Sequence, residues 1–193
     1  MDKLTDRELV LQLQGGSLEA LGALYDRHSR LVYRTALVIA GDPEAASDLL
    51  QDVFLRLHRF VDRVDPGRPL EPWLYRMTVN QSHDWVKRMN RWSRPLEDFV
   101  DWLAAAGKNP PYDAVERKDE WQQVQRIISS LPLNQRIVVV LYYLNDLSLK
   151  EISDILDIPV GTVKSRLHYG RLTLKKKLEL QKDILPDFNY ESP

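Results

Sequence analysis

The sequence predicts an all-α fold: two small helical domains joined by a flexible linker, the C-terminal one a helix-turn-helix. Three observations predict it. Apolar residues recur at helical spacing through most of the 193 residues, and strand-like alternation is scarce. Residues 93–113 break that pattern with Pro95, Gly107, Pro110 and Pro111, and their acids outnumber their bases. Beyond Ser148, two short helical patterns flank a tight break, and the second is strongly basic.

Each element has its own signals. "TDRE" at 5–8 fits a capping box, so a first helix starts at Thr5. A second runs from about Ser17 to Ala40 and stops at Gly41. Asp42 and Pro43 supply an N-cap and a first-turn proline for a third, ending near Val64. "DPGRP" at 65–69 makes a loop, and a fourth helix runs from about Pro72 to Trp92. The stretch 93–113 reads as a linker with one short helical turn around 97–105; a packed excursion of a single domain is the alternative. Helices resume near Val115 and continue to about Lys182, with breaks at Pro132, near Asn145–Leu147 and at Asp157–Pro159. The β-branched cluster "RIVVVLYYL" sits inside a longer helical pattern, and "PDFNYESP" closes the chain as a frayed tail. The expected limits are therefore 1–92, a linker 93–114, 115–182, and a tail 183–193.

Composition narrows the function. At 44% hydrophobic and 28% charged residues, the chain has the balance of a soluble globular protein. No apolar run approaches the roughly 20 residues that span a bilayer. "MDKLTDRELV" lacks the basic-then-apolar order of a signal peptide, which points to the cytoplasm. The absence of cysteine excludes disulfides and thiolate metal sites. The net charge of −1 conceals an uneven distribution. From Val160 to Lys182, Lys164, Arg166, Arg171, Lys175, Lys176, Lys177 and Lys182 face Glu179 alone. That end is expected to meet a polyanion.

The basic segment is the second half of the helix-turn-helix. Ser148-Leu149-Lys150-Glu151 is another capping box, and Leu149, Ile152, Ile155 and Leu156 fall on one side of the helix it starts. After "DIP", Val160, Val163, Leu167, Leu174 and Leu178 form a stripe at helical spacing. Thr162, Ser165, Arg166 and Tyr169 then face outward, with Lys164 and His168 on the flanks. Cations reach phosphates or guanine edges, and short hydroxyls take base or backbone, so this face suits a major groove. A solvated basic helix closing a bundle is the alternative.

Two motifs in the N-terminal half make the reading more specific. "SDLLQDVFLRLHRF" (47–60) sets Leu49, Val53, Leu57 and Phe60 as a core stripe and leaves Asp48, Gln51, Asp52 and Arg56 more exposed. "PWLYRMTVNQSHDWVKR" (72–88) carries Asn80, Asp84 and Arg88 at every fourth residue, on one face. With "LPLNQRIVVVLYYLNDLSLKEISDILDIPVGTVKSRLHYGR" (131–171), in this order, the chain resembles a bacterial sigma factor of the extracytoplasmic-function type. The resemblance implies an alternative promoter-specificity subunit for core RNA polymerase. By it, Asp48, Leu49, Gln51, Asp52 and Leu55 contact the polymerase. Arg76, Asn80, His83, Asp84, Lys87 and Arg88 meet single-stranded −10 DNA. Thr162, Lys164, Ser165, Arg166, His168, Tyr169 and Arg171 meet duplex −35 DNA. The loop "VDPGRPLEP" (64–72) corresponds to the segment that captures a flipped base, and the acidic linker threads the polymerase. An anti-sigma factor is a common partner. Two departures stand out: Tyr169, where many relatives carry a basic residue, and His83, where small apolar residues are frequent.

No enzyme is expected, and no cofactor. His28, His58, His83 and His168 form no H-x-x-x-H or H-E-x-x-H arrangement, and no metal site is expected. Glycine-rich phosphate loops and serine nucleophile elbows are absent. Two other classes remain open at this point. A stand-alone helix-turn-helix regulator would bind a palindrome without polymerase. A protein-binding adaptor would contact no nucleic acid.

Overall fold

Helix end signals place the elements of the computed structural model, which describes residues 4–92 and 124–179. Thr5 accepts from the Glu8 N–H while the Glu8 carboxylate accepts from the Thr5 N–H, and α1 (Asp6–Gln14) follows. Those bonds hold the Glu8 carboxyl below the usual range. Ser17 caps α2 (Leu18–Ala40), which ends at Gly41 with φ +78°, a left-handed turn that suits glycine. Asp42 caps α3 (Pro43–Phe60). Instead of continuing to Val64, α3 tightens into a 3-10 turn over Val61–Arg63. The Val61 carbonyl, which also takes the Val64 N–H in that turn, and the Val64 carbonyl each accept from Gln14 Nε2 at 3.0 Å. The fourth helix, α4, covers Glu71–Trp92.

The second described stretch begins in helix α5, residues 124–129. Pro132 breaks it, and α6 (Leu133–Val139) runs on into a π-helical segment, Val140–Leu144. The β-branched cluster is thus helical, as its surroundings predict, but the π winding has no signal in the sequence. α7 (Leu149–Leu156) carries its capping box and ends at Asp157 in a left-handed conformation. α8 (Val160–Glu179) completes the helix-turn-helix. Among the described residues there is no strand. The linker turn at 97–105, the expected restart near Val115 and the tail lie outside the described residues.

Two buried clusters hold these helices. One joins α1 to α4 through residues such as Leu9, Leu24, Val53, Leu57 and Leu74. The other crosses between the halves of the chain. It unites Val38, Ile39, Tyr75 and Val79 of α2 and α4 with Leu131, Val138, Leu141, Ile152, Ile155, Val163 and Leu167. Burial, with Glu71, Asp146 and Glu151 adding to it, pushes the Tyr75 phenol up to about 12. The folded form holds that proton more tightly. Its share of stability is complete below about pH 10 and is lost as pH climbs through 12.

Candidate nucleic-acid and protein interfaces

The recognition helix α8 owes its position to what it buries. Val163 and Leu167 are buried, and Gly170 lies so near α6 that a Cβ there would sit 2.8 Å from Val139 Cγ2. With that face fixed, Lys164, Ser165, His168 and Tyr169 are exposed, and Thr162 and Arg166 are half-buried at the rim. The apolar stripe stops at Leu174, because Leu178 is on the surface rather than in the core. Arg171 is exposed but not loose. Its guanidinium lies 5.7 Å from the Tyr142 ring centroid and 5.4 Å from that of Tyr143, and its Nε donates to the Tyr143 hydroxyl at 2.5 Å. The tyrosine pair, which sequence reasoning missed, therefore aims this cation.

On α4, Asn80, Asp84, Lys87 and Arg88 are exposed, and His83 is half-buried with Nδ1 3.7 Å from the Asp84 carboxylate. Leu74 and Val79 anchor the opposite side of the helix. Arg76 does not stand with the free residues. It donates from Nε to the Ile155 carbonyl at 3.0 Å and from Nη2 to that of Asp154 at 2.5 Å. The loop before α4 is held by Leu70, which is 1% exposed, and by Asp65 Oδ1, which accepts from the Gly67 N–H at 2.8 Å. With Gln14 on the Val61 and Val64 carbonyls, α1 anchors the root of that loop; two residues that far apart in sequence gave no cue to this.

On α3, Asp48, Gln51, Asp52 and Arg56 are exposed, as expected. Leu55, 64% exposed, adds an apolar contact surface beside them. Leu49 departs from its expected role: it is 3% exposed and packs with Ala36 and Ala46, so it supports this face from below rather than lining it. Its helical phase explains this, because Val53 and Leu57 continue the same buried stripe.

One His/Asp/Glu group is close enough to share an ion among the described residues. Donor atoms of Asp6, His28 and Glu71 lie within 4.8 Å of one another. Asp6 is already engaged there, by Arg27 and by His28 Nε2 at 2.7 Å, which makes the group a tie between α1 and α2. No described helix is long and apolar enough to cross a membrane.

Comparison with known proteins fits this geometry. Residues 24–93 match the sigma-70 region 2 family, and residues 121–174 match the sigma-70 region 4 family. The chain is 31% identical over 184 residues to the ECF RNA polymerase sigma factor SigW of Bacillus subtilis, a match covering 89% of this chain and 96% of that protein. The solved structure of CnrH in complex with the cytosolic domain of CnrY superposes with a TM-score of 0.68 at 26% identity, covering 91% of this chain and 97% of that one. The sigma factor RpoE of Bartonella quintana, solved with the anti-sigma factor NepR, gives a TM-score of 0.63 over 80% of this chain and 94% of that one; at 19% identity it speaks for the fold.

Proposed function

The chain belongs to the ECF RNA polymerase sigma factors, and from that premise we propose how its surfaces divide the work of initiation. It is a promoter-specificity subunit, which directs core RNA polymerase to promoters and helps open them. Sigma factors are non-catalytic initiation factors, and here too bond-making belongs to the polymerase. Its partners are core polymerase and promoter DNA, with an anti-sigma factor as the silencing partner, and its place is the cytoplasm. Asp48, Gln51, Asp52 and Leu55 dock the polymerase, with Leu49 beneath them. Residues 1–92 read and hold −10 DNA, residues 115–182 read −35 duplex, and 93–114 tether the two. The observation that carries this division is the exposure of two separate polar faces, Asn80 to Arg88 on α4 and Lys164 to Arg171 on α8, each backed by its own buried stripe.

The chemistry of each face suits its task. Lys164, Arg166 and Arg171 bring charge to a helix that inserts into a groove, and phosphate neutralisation releases counterions. Thr162, Ser165, His168 and Tyr169 add hydrogen-bonding reach. On α4, the Asn80 amide both donates and accepts, which suits a base edge released from pairing, while Arg76, Lys87 and Arg88 follow the backbone, and His83 and Asp84 flank the site. Flipping a base costs a few kcal/mol, so capture in the 64–72 loop would select sequence while it drives strand separation. Tethering lets two weak contacts add through effective concentration.

Run-off transcription with core polymerase tests the assignment: discrete starts on a promoter library that require the chain support it. New starts absent with polymerase, together with tight palindrome binding by the chain alone, reject it. Lys164→Ala and Arg166→Ala are expected to weaken −35 duplex binding and to lower the salt slope by about one per lost phosphate contact. An unchanged slope would assign those cations elsewhere. Asn80→Ala is expected to slow open-complex formation, followed by permanganate reactivity of the melted strand, while duplex binding stays within about twofold, since each base contact is worth roughly 1–3 kcal/mol only where it is made. Equal loss at both stages would count against the division of labour.

A further inference from the structure

We propose that Tyr143, which is outside the recognition helix, completes a DNA-phosphate site with Arg171 at the rim of the −35 groove; the proposal rests on the sigma assignment above and deepens it.

The position of Arg171 along α8 decides which part of the duplex it meets. A recognition helix reads base edges with its N-terminal residues. Arg171 lies nine residues beyond Thr162, which is about 14 Å along the helix at 1.5 Å per residue. The major groove is only about 12 Å wide. With Thr162, Ser165 and Arg166 over the base edges, Arg171 therefore reaches the phosphate ridge that borders the groove.

The contacts of Arg171 leave it suited to an oxyanion. A guanidinium carries five N–H donors in a fixed fork. The one on Nε is spent on the Tyr143 hydroxyl at 2.5 Å. Those on Nη1 and Nη2 donate to no described residue, so a whole edge of the fork is available for bidentate binding. The Tyr143 hydroxyl takes the Nε–H on a lone pair and keeps its own proton, which also goes to no described residue. Tyr143 is 44% exposed, so that O–H is open to a ligand. Donors from two elements of the fold are thus adjacent at one point of the surface.

Packing holds the pair in place before DNA arrives. Gly170 lets α8 approach α6 so closely that Val139 fills the space of a Cβ. The π-helical segment begins at the next residue, Val140, and carries Tyr142 and Tyr143 to the side chain that follows Gly170. The two rings, 4.9 Å apart at 80°, form a corner around the guanidinium. A free surface arginine loses rotamer freedom on binding, whereas this one has lost it on folding. Tyr143 is accordingly a phosphate ligand and a positioning residue for Arg171 together.

A stack that merely staples the π-helical segment to α8 would show the same contacts, so the test must localise the effect on the DNA. Holoenzyme assembled from core polymerase and the full chain is bound to a promoter recovered by run-off transcription. Its −35 phosphates are replaced one at a time by neutral methylphosphonates. The unaltered chain is expected to lose about tenfold in affinity when the clamped phosphate is neutralised. On unmodified DNA, Arg171→Ala should bind about tenfold more weakly and Tyr143→Phe, which keeps the ring, about threefold. At the clamped phosphate, Arg171→Ala should lose nothing further, and Tyr143→Phe should lose less than the unaltered chain. At every other phosphate all three should respond alike. The melting temperature of Tyr143→Phe should stay within about 2 °C. Equal loss by the unaltered chain and Tyr143→Phe at every phosphate would overturn the clamp. So would a lowered melting temperature with uniform weakening along the duplex, which is the signature of a staple. A chain that directs polymerase to no promoter would instead overturn the sigma assignment beneath the proposal.

Discussion

Gly170→Ala is expected to lower the melting temperature, where the same substitution at Gly22 raises it. Both glycines lie inside helices, α8 and α2. Replacing an interior helical glycine with alanine ordinarily gains roughly 0.5–1 kcal/mol, because the unfolded chain loses freedom and the helix gains propensity. A Cβ at Gly22 meets nothing within 4 Å, so that gain is expected in full. At Gly170 the new Cβ would stand 2.8 Å from Val139 Cγ2 and 3.7 Å from Gln135 Cβ. Val139 is 2% exposed, and β-branched side chains in helices have one strongly preferred rotamer, so the methyl cannot swing aside. The helices must separate, and overpacking of this kind costs about 1–3 kcal/mol. For a chain of this length that corresponds to a drop of several degrees, read by circular dichroism. Binding to −35 duplex is expected to fall as well, because Tyr169 and Arg171 flank the displaced residue. Val139→Ala in the same chain makes room, so the double variant should recover most of the loss as a coupling energy. Gly170→Ala stabilising the protein like Gly22→Ala would refute this account of the α6–α8 contact.

Charge reversal on α3 is expected to have the largest effect on activity with the least on folding. Asp48 and Asp52 are one turn apart and exposed, with Gln51 and Leu55 beside them. Surface substitutions of this kind change stability by about 0.5 kcal/mol or less. At a docked interface, the same reversal sets like charges against each other, which costs several kcal/mol. Asp48→Lys with Asp52→Lys should therefore weaken core-polymerase binding by about a hundredfold or more at low salt. Fluorescence anisotropy with labelled chain measures it. Binding to −35 duplex by the free chain should be unaffected. Unchanged polymerase affinity would move the docking face away from α3.

Local signals made most of the helix limits legible. Thr5, Ser17, Asp42 and Ser148 announce helix starts through side chains that cap within three residues, so no distant partner is needed to read them. Asn80, Asp84 and Arg88 share a face by period alone, and so do Lys164 and His168. Leu49 shows the limit of this reasoning. Spacing puts it in the core stripe and resemblance puts it among the polymerase contacts, and only burial separates the two roles. Arg136 shows another. Its place beside "IVVV" marks a cation in an apolar run, yet the Ile39 carbonyl that justifies it is nearly a hundred residues away, at the end of a helix whose termini look ordinary.

From composition and periodicity alone come the helical class, the helix-turn-helix, the concentration of cations on α8 and the two polar faces. These depend on neighbours three or four residues apart, and such spacing is written directly into the chain. The packing of one half on the other is not. It depends on which helix ends lack donors, which guanidinium reaches them, and whether Val38, Ile39 and Val79 find Ile152 and Ile155 across the junction. The π-helical turn at Val140–Leu144, the stacking of Arg171 on Tyr142 and Tyr143, and the capture of Arg76 by α7 belong to the same category. The two arginine contacts join groups distant in sequence, and such partners are fixed only when the helices are packed together.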